Sequence, residues 1–566
     1  MRGGLPIALI PTSKLLRPLL CASVGSLILT LAASGAEPRP TPNILLVLAD
    51  DMGFSDAGCY GSEIQTPNLD RLAAGGVRFT QFYNTARCWP TRSALMSGYY
   101  AQQIHMDPPR GRLPAWTRLM PHYLRPLGYR CYHSGKWHVP GAPKVVADGG
   151  FDHSYCIEDH NRFFAPKKHT EDDRPLPPVE PGTNFYLTTF IADHAIKCLK
   201  QHAANFADRP FFQYLAFTSP HFPLQARADD IARYQDRYLK GWDAIRNERY
   251  QRQRKLGLLD CALSARDPVT VPDWNLSPEE LRTQIGSGEA GRAVAWADLT
   301  PEQQRFQAAK MAIHAAMIDR MDREIGRVLE QVKAMGCLEN TLVLFAADNG
   351  ASAEQIIRGD GHDPAAPPGS AHTFLCLGPG WSTAANTPLR LHKSWVHEGG
   401  ISTPLIACWP KGIPARGELR HTPGHVIDLL PTLLELAGAR SGGTWNGATP
   451  PPLPGRSLVP ALAADVTIPR EFLFFSHIDN HALRMGDWKL VATHADPHAW
   501  QLYNLARDRS ETADLAAQQP DRVRDMAARW QQLDTQFRRE SGVDQLPPEK
   551  PRKRAKPQAK KSAKAQ

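Results

Sequence analysis

The sequence predicts an α/β fold: a large mixed, mostly parallel sheet flanked by helices, then a smaller C-terminal α+β subdomain built on an antiparallel sheet. Three observations carry this expectation. Four apolar runs, NILLVLADD (43–51), FFQYLAFTSPHFP (211–223), TLVLFAADNG (341–350) and STPLIACWP (402–410), end abruptly in polar or special residues. Helical patterns lie between them, and the texture changes from about residue 455. Continuous rather than alternating hydrophobicity marks strands buried on both faces, as in a parallel sheet covered by helices.

The N-terminus reads as an export signal over residues 1–36. Arg2, Lys14 and Arg17 precede the apolar run LLCASVGSLILTLAA (19–33), and Ser34-Gly35-Ala36 offers small residues for cleavage. That run would extend roughly 22 Å as a helix, short of the roughly 30 Å hydrocarbon core, so no stable membrane span is expected. The mature protein is then periplasmic or secreted.

Between the apolar runs, MAIHAAMIDRMDREIGRVLEQVKAMG places Met317, Met321, Ile325, Val328, Leu329 and Val332 at three- and four-residue steps, with Gly336 as a stop. Residues 225–310 are polar and Arg-rich. They predict an insertion beside the site, read equally well as a substrate wall or as a solvated helix pair. Further on, FLFFSH (472–477) and ALRMGDWKLVAT (482–493) predict antiparallel strands, the second run turning at Gly486-Asp487. An amphipathic helix near 520–537 closes the folded part, and the basic tail (546–566) lacks the apolar residues to fold.

Composition excludes one function class. The net charge is +9, but the leader carries three unopposed positive charges and residues 550–566 carry eight, which leaves about −2 for the body. A folded body with that balance offers no broad basic face to nucleic acid. Removing the leader leaves nine cysteines, an odd number without repeating spacing. A dense disulfide framework is not expected, although one or two bridges stay open.

In open α/β sheets ligands bind beyond the carboxyl ends of the strands. Asp50, Asp51, His221, Asp348 and Asn349 all fall there. Alone, each acidic pair reads as a cap or a turn. Together, Asp50, Asp51, Asp348 and Asn349 supply only carboxylate and amide oxygens, which suit a hard divalent cation, Ca²⁺ in preference to Mg²⁺. Lys136 and His138 in SGKWHVP, Lys393 in LRLHKSWVHEGG, and Arg92 would add an anion-binding field if gathered. His138 and His221 would add groups that move protons.

Cys88, in RCWPTRSALMSG, read alone is a small buried hydrophobe. The motifs taken together change that reading. LADDMG, CWPTR with LMSG after it, GKWH, SPHFP, ADNG and HKSWVHEGG occur in this order over residues 43–400. In them the chain resembles the formylglycine-dependent sulfatases of the alkaline-phosphatase-like superfamily. The segments WKL and LYNL…DRSETADLA extend the likeness to about residue 537.

The resemblance implies a catalytic domain over 37–455 and a subdomain over 456–545. It implies that a formylglycine-generating maturation enzyme converts Cys88, reading Pro90 and Arg92 in the unfolded chain. The hydrated aldehyde would attack a sulfate monoester, aryl or carbohydrate, through a sulfo-enzyme intermediate. Asp50, Asp51, Asp348, Asn349 and the converted Cys88 would hold the metal. Arg92, Lys136 and Lys393 would stabilise charge, His221 would serve the departing alcohol, and His138 would deprotonate the second hydroxyl. Trp89 stands where the family commonly has a small polar residue, and His397 where an aromatic is frequent. His397 and His105 each read as a substrate contact or as a packed ring. The alternatives are a phosphonate monoester or phosphodiester hydrolase with the same modified residue, and a non-catalytic glycan-binding relative.

Overall fold

A computed structural model describes residues 41–107, 111–439 and 441–542. The export signal and the basic tail lie outside these residues. The first apolar run forms strand β1 (Asn43–Ala49), buried at every position. The chain continues through β2 (Val77–Tyr83), β3 (Arg130–Gly135), β4 (His153–Ile157), β5 (His169–Glu171), β6 (Arg174–Pro175) and β7 (Phe211–Ala216). The large sheet is completed by β8 (Thr341–Ala347), β9 (Ser402–Cys408), β10 (Glu418–Arg420) and β11 (Gly424–His425). Its order is β10-β2-β9-β8-β1-β7-β3-β4-β5-β6, with β11 also on β2.

The centre of this sheet is the parallel set β8-β1-β7-β3. Helices cover both faces, as the two-sided burial of these strands requires. The longest, Pro301–Ala334, starts at a capping box in which Thr300 and Gln303 satisfy each other's backbone N–H, with Pro301 at the first helical position. It buries Met317, Met321, Ile325, Val328 and Val332 against the core, and Gly336 follows its end with φ 70°.

The sheet is mixed, as expected, with antiparallel pairing at β4-β5, at β5-β6 and on both sides of β9. STPLIACWP forms β9, which runs antiparallel to both β8 and β2. A parallel return would have to carry the chain back to the far end of the sheet. The segment between β8 and β9 instead contains only the short helices Pro379–Ala385 and Glu398–Ile401. The chain therefore re-enters the sheet from the edge it left, bringing the residues before β9 to the carboxyl ends of the parallel strands.

The chain over 228–255 forms two helices, Ala228–Ala232 and Gly241–Lys255. Asp236 (φ 61°) and Gly241 (φ 87°) mark the break between them, and a side chain at Gly241 would strike the Trp296 ring.

The smaller sheet is antiparallel, in the order β12 (Leu473–His477), β13 (Asn480–Met485), β14 (Trp488–Thr493), β15 (Asp496–Asn504). The final helix, Pro520–Ser541, lays Met526, Trp530, Leu533 and Phe537 on it. Phe474 stacks on Trp530 at 5.5 Å. A buried ionic cluster fastens this sheet to the large one. Lys489 of β14 lies 2.9 Å from Glu398 and 2.8 Å from Glu511, while Arg509 and Tyr83 donate to the same Glu398 carboxylate.

Candidate active site

Six chain segments converge on one edge of the large sheet. β1 ends in Asp50-Asp51, β8 in Asp348-Asn349, β7 leads to His221 and β3 to Lys136. Pairing of Ala49 with Ala347, and of Gly135 with Ala216, sets these ends side by side. The fifth segment, ahead of reversed β9, carries Lys393. Gly350 and Gly399 let its loop meet the Asp348 loop, since a Cβ on Gly350 would come within 1.9 Å of the Gly399 carbonyl. Cys88 opens the helix Cys88–Ser97, all of it buried. The N-cap residue Arg87 supplies no side-chain cap, and the helix N-terminus brings its partial positive charge to this edge.

Carboxylates and cations alternate across this edge. Lys136 Nζ lies 2.6 Å from Asp50 Oδ2, and Lys393 Nζ lies 2.9 Å from Asp51 Oδ1. Arg92 Nε donates to Asp348 Oδ2 at 2.8 Å, and its Nη1 donates to the Lys136 carbonyl at 2.7 Å. Asn349 Nδ2 donates to Asp51 Oδ1 at 2.7 Å. Burial raises the Asp50 carboxyl, but Lys136, His221, Arg92 and Lys393 overcome this and hold it well below the usual range. Burial and then Asp50 push Asp348 up, against Arg92 and Lys136.

Three imidazoles lie over these groups. His221 Nδ1 donates to the Phe222 carbonyl at 2.5 Å, which turns Nε2 toward Lys393 Nζ (3.5 Å) and Asp51 Oδ2 (3.7 Å). Burial holds this ring neutral, pushed down to about 4 despite Asp51 and Asp50. His138 adopts φ 50° beside Trp89, and burial reinforced by Lys136 holds it well below the ordinary histidine value. His160 lies between them, 5.3 Å from the His221 ring and 5.7 Å from His138.

The donor set fits a hard divalent cation. Asp50 Oδ1 and Asn349 Oδ1 are buried oxygens with no hydrogen-bond partner. Ligand atoms of Asp50, Asp51 and His221 lie within 4.8 Å of one another. The oxygens outnumber the nitrogen, and clustered carboxylates that repel each other are relieved by a cation. Asp348 is more committed: Arg92 takes Oδ2, and the Asp51 N–H reaches Oδ1 at 3.3 Å.

Comparison with known proteins decides the family. The sulfatase family model matches residues 42–439, and the model of the C-terminal region of N-sulphoglucosamine sulphohydrolase matches residues 390–536. The chain belongs to the sulfatase family. An arylsulfatase of Klebsiella aerogenes is 32% identical over 459 residues, covering 74% of this chain and 91% of that one. An uncharacterized sulfatase of Schizosaccharomyces pombe is 30% identical over 552 residues, covering 86% of this chain and 92% of its own length. The crystal structure of Ps i-CgsB with k-i-k-neocarrahexaose shares the fold, with TM-score 0.61 and 23% identity over 88% of this chain and 93% of that one.

In this sulfatase the ten sequence-derived site positions all fall at one sheet edge. Three further residues there carry no sequence signal. His160 sits in EDHNRFF, which matches no motif. Glu354 is buried, 3.0 Å from Lys393 Nζ and 3.3 Å from Arg87 Nη2. Lys393 and Arg87 hold the Glu354 carboxyl well below the usual range against the cost of burial. Arg87, third of the group, precedes Cys88 and lies over the Trp89 ring at 4.8 Å.

One of the two open readings resolves as packing. His397 is fully buried, with Nε2 3.4 Å from Gln501 of the small sheet. His105 lines a small cavity with Asp107 and His481. All nine cysteines among the described residues are free, so the sulfatase contains no disulfide there. No helix among them is long and apolar enough to cross a membrane.

Proposed function

We propose that this sulfatase cleaves sulfate monoesters, aryl or carbohydrate, with residue 88 matured from cysteine to formylglycine and Ca²⁺ at the carboxylate cluster. The observation that carries this reading is the setting of Cys88. Burial pushes its thiol up although Lys136 and Lys393 favour the thiolate, so the position is poor for sulfur chemistry. It is nonetheless at a helix N-terminus among two lysines, an arginine and three aspartates.

Asp50, Asp51, Asp348, Asn349 and the matured residue 88 would hold the cation, which supplies Lewis-acid charge to sulfate oxygens and nearby hydroxyls. The hydrated aldehyde supplies two hydroxyls, one to attack sulfur and one whose deprotonation expels sulfate. The chain's own groups do the rest. Lys136, Lys393 and the positive end of the Cys88 helix oppose the charge that develops on sulfate oxygens. Arg92 fixes Asp348 and the residue 136 carbonyl while keeping its charge in the site. Lys393 Nζ donates toward the unprotonated His221 Nε2, and the pair passes an ammonium proton to the departing oxygen. His138, held neutral, accepts the proton of the second hydroxyl.

In this reading residues 37–455 form the catalytic domain, 225–310 a wall beside the site, and 456–545 its supporting subdomain. Export to the periplasm or beyond, after maturation by a formylglycine-generating enzyme, completes it. The test is sulfate release from nitrophenyl sulfate by the matured full chain, beside a nitrophenyl phosphonate monoester. Sulfate turnover should dominate, fall on chelation and return with Ca²⁺. Faster phosphonate turnover, or full sulfate turnover after complete chelation, contradicts the reading.

A further inference from the structure

Trp274 is one of six large apolar side chains that stand exposed among the described residues, with 38% of it open to solvent. It belongs to the insertion, between the helices Gly241–Lys255 and Pro278–Gln284. A short chain of contacts ties it to the reaction centre. Its Nε1–H donates to Glu354 Oε1 at 2.8 Å, and Glu354 Oε2 lies 3.0 Å from Lys393 Nζ. Lys393 in turn meets His221 Nε2, the group assigned above to the departing oxygen. Arg87, next to Cys88, lies between Trp89 and Trp274, its guanidinium 5.0 Å from the Trp274 ring.

The indole is held rigidly. Asn275 donates to the Ala353 carbonyl at 3.1 Å and accepts from the Gln355 N–H at 2.9 Å, and Leu276 N–H donates to Gln355 O at 2.9 Å. These bonds zip the insertion onto the loop that carries Glu354. A fixed, half-open indole at the leaving-group end of a site is a surface for a ring. Its neighbours decide which ring. Asp273, 77% exposed, pairs with His494 of the small sheet at 3.3 Å. This rim offers a carboxylate and an imidazole for hydroxyl groups, which a pyranose has and a bare aryl ring lacks.

We propose that Trp274 is a specificity-determining residue that stacks on the sulfated pyranose of a carbohydrate sulfate, with Asp273 and His494 addressing its hydroxyls. This rests on the sulfatase reading above. The test is steady-state hydrolysis of O-sulfated pyranoses and nitrophenyl sulfate by matured wild type, Trp274→Ala and Trp274→Phe, with inhibition by inorganic sulfate measured in parallel. For the best saccharide, Trp274→Ala should raise KM about 10-fold with a smaller change in kcat, the scale of one lost ring contact. Trp274→Phe keeps a ring but loses the N–H, and should stay within about threefold of wild type. Inorganic sulfate, which has no ring, should inhibit all three equally.

An unchanged saccharide KM in Trp274→Ala overturns the proposal. So do equal defects in both variants with weakened sulfate inhibition, because the indole would then act only as a strut for Glu354. A wild type that cleaves nitrophenyl sulfate but no sugar overturns the proposal and spares the sulfatase reading. A matured wild type that releases sulfate from nothing overturns both.

Discussion

Arg92 and Asp348, 256 positions apart in sequence, meet through an Nε donor at 2.8 Å, with Nη2 at the same distance. Both are fully buried, and Arg92 also spends Nη1 on the Lys136 carbonyl. One guanidinium thereby fixes the ends of β8 and β3 relative to the Cys88 helix. A lysine has one compact ammonium and cannot hold both partners in this geometry. Arg92→Lys should lower kcat/KM by about 10²-fold or more, the usual cost of losing a placed donor at a charged centre. Kinetics on matured protein check this, and a loss under about twofold contradicts the positioning role.

His221 is expected to matter most when the leaving group is poor. Replacing it with alanine should cost roughly 10²–10⁴-fold on an alkyl or sugar sulfate, the typical weight of acid–base help. The loss should shrink on nitrophenyl sulfate, whose phenolate departs without a proton. Equal losses on both substrates would show that the ring only packs against Phe222.

The small sheet should be more than an appendage. Lys489→Met leaves Glu398 and Glu511 facing each other in the interior, both fully or nearly fully buried. Breaking one side of such a cluster costs about 3–5 kcal/mol. Thermal unfolding should drop by several degrees, and the segment from Lys393 to Glu398 should become more open to proteolysis. An unaltered melting temperature would mean that the two sheets are held by apolar packing alone.

His425 gives a pH test away from the site. Its Nδ1 accepts from Ile427 N–H at 3.3 Å, and its ring packs near Tyr100 and Phe475. Burial, with Arg470 adding to it, pushes the ring down to about 3. The unfolded ring binds its proton near pH 6.5, so this contribution is complete above that value and is lost as pH falls toward 3. The slope is about 1.4 kcal/mol per pH unit over that window. Thermal melts from pH 7 to 4 should show a shallower acid decline for His425→Gln than for wild type. Parallel declines contradict this assignment.

How much of this was legible in sequence depended on what each segment buries. β1, β7, β8 and β9 were visible because they are covered on both faces and read as continuous apolar runs. β2, whose VRFTQFY leaves Arg78 and Gln81 half-buried, and β3, whose RCYHSG buries polar side chains, gave no such signal. The reversal of β9 was hidden too, because direction is a property of the connection and not of the strand. That reversal is what delivers Lys393. The motif-borne residues Asp50, Cys88, Lys136, His221 and Asp348 were readable since each follows or opens an element. Glu354, Arg87 and His160 were not: each gains its role only from neighbours far along the chain.

The central claim is that residue 88 works as an aldehyde. The most direct measurement is the mass of the tryptic peptide spanning Cys88 in protein of full specific activity. The account predicts the mass of formylglycine, with its carbonyl trapped by a hydrazine reagent and activity proportional to the converted fraction. Fully active protein whose Cys88 still bears a free thiol would contradict it.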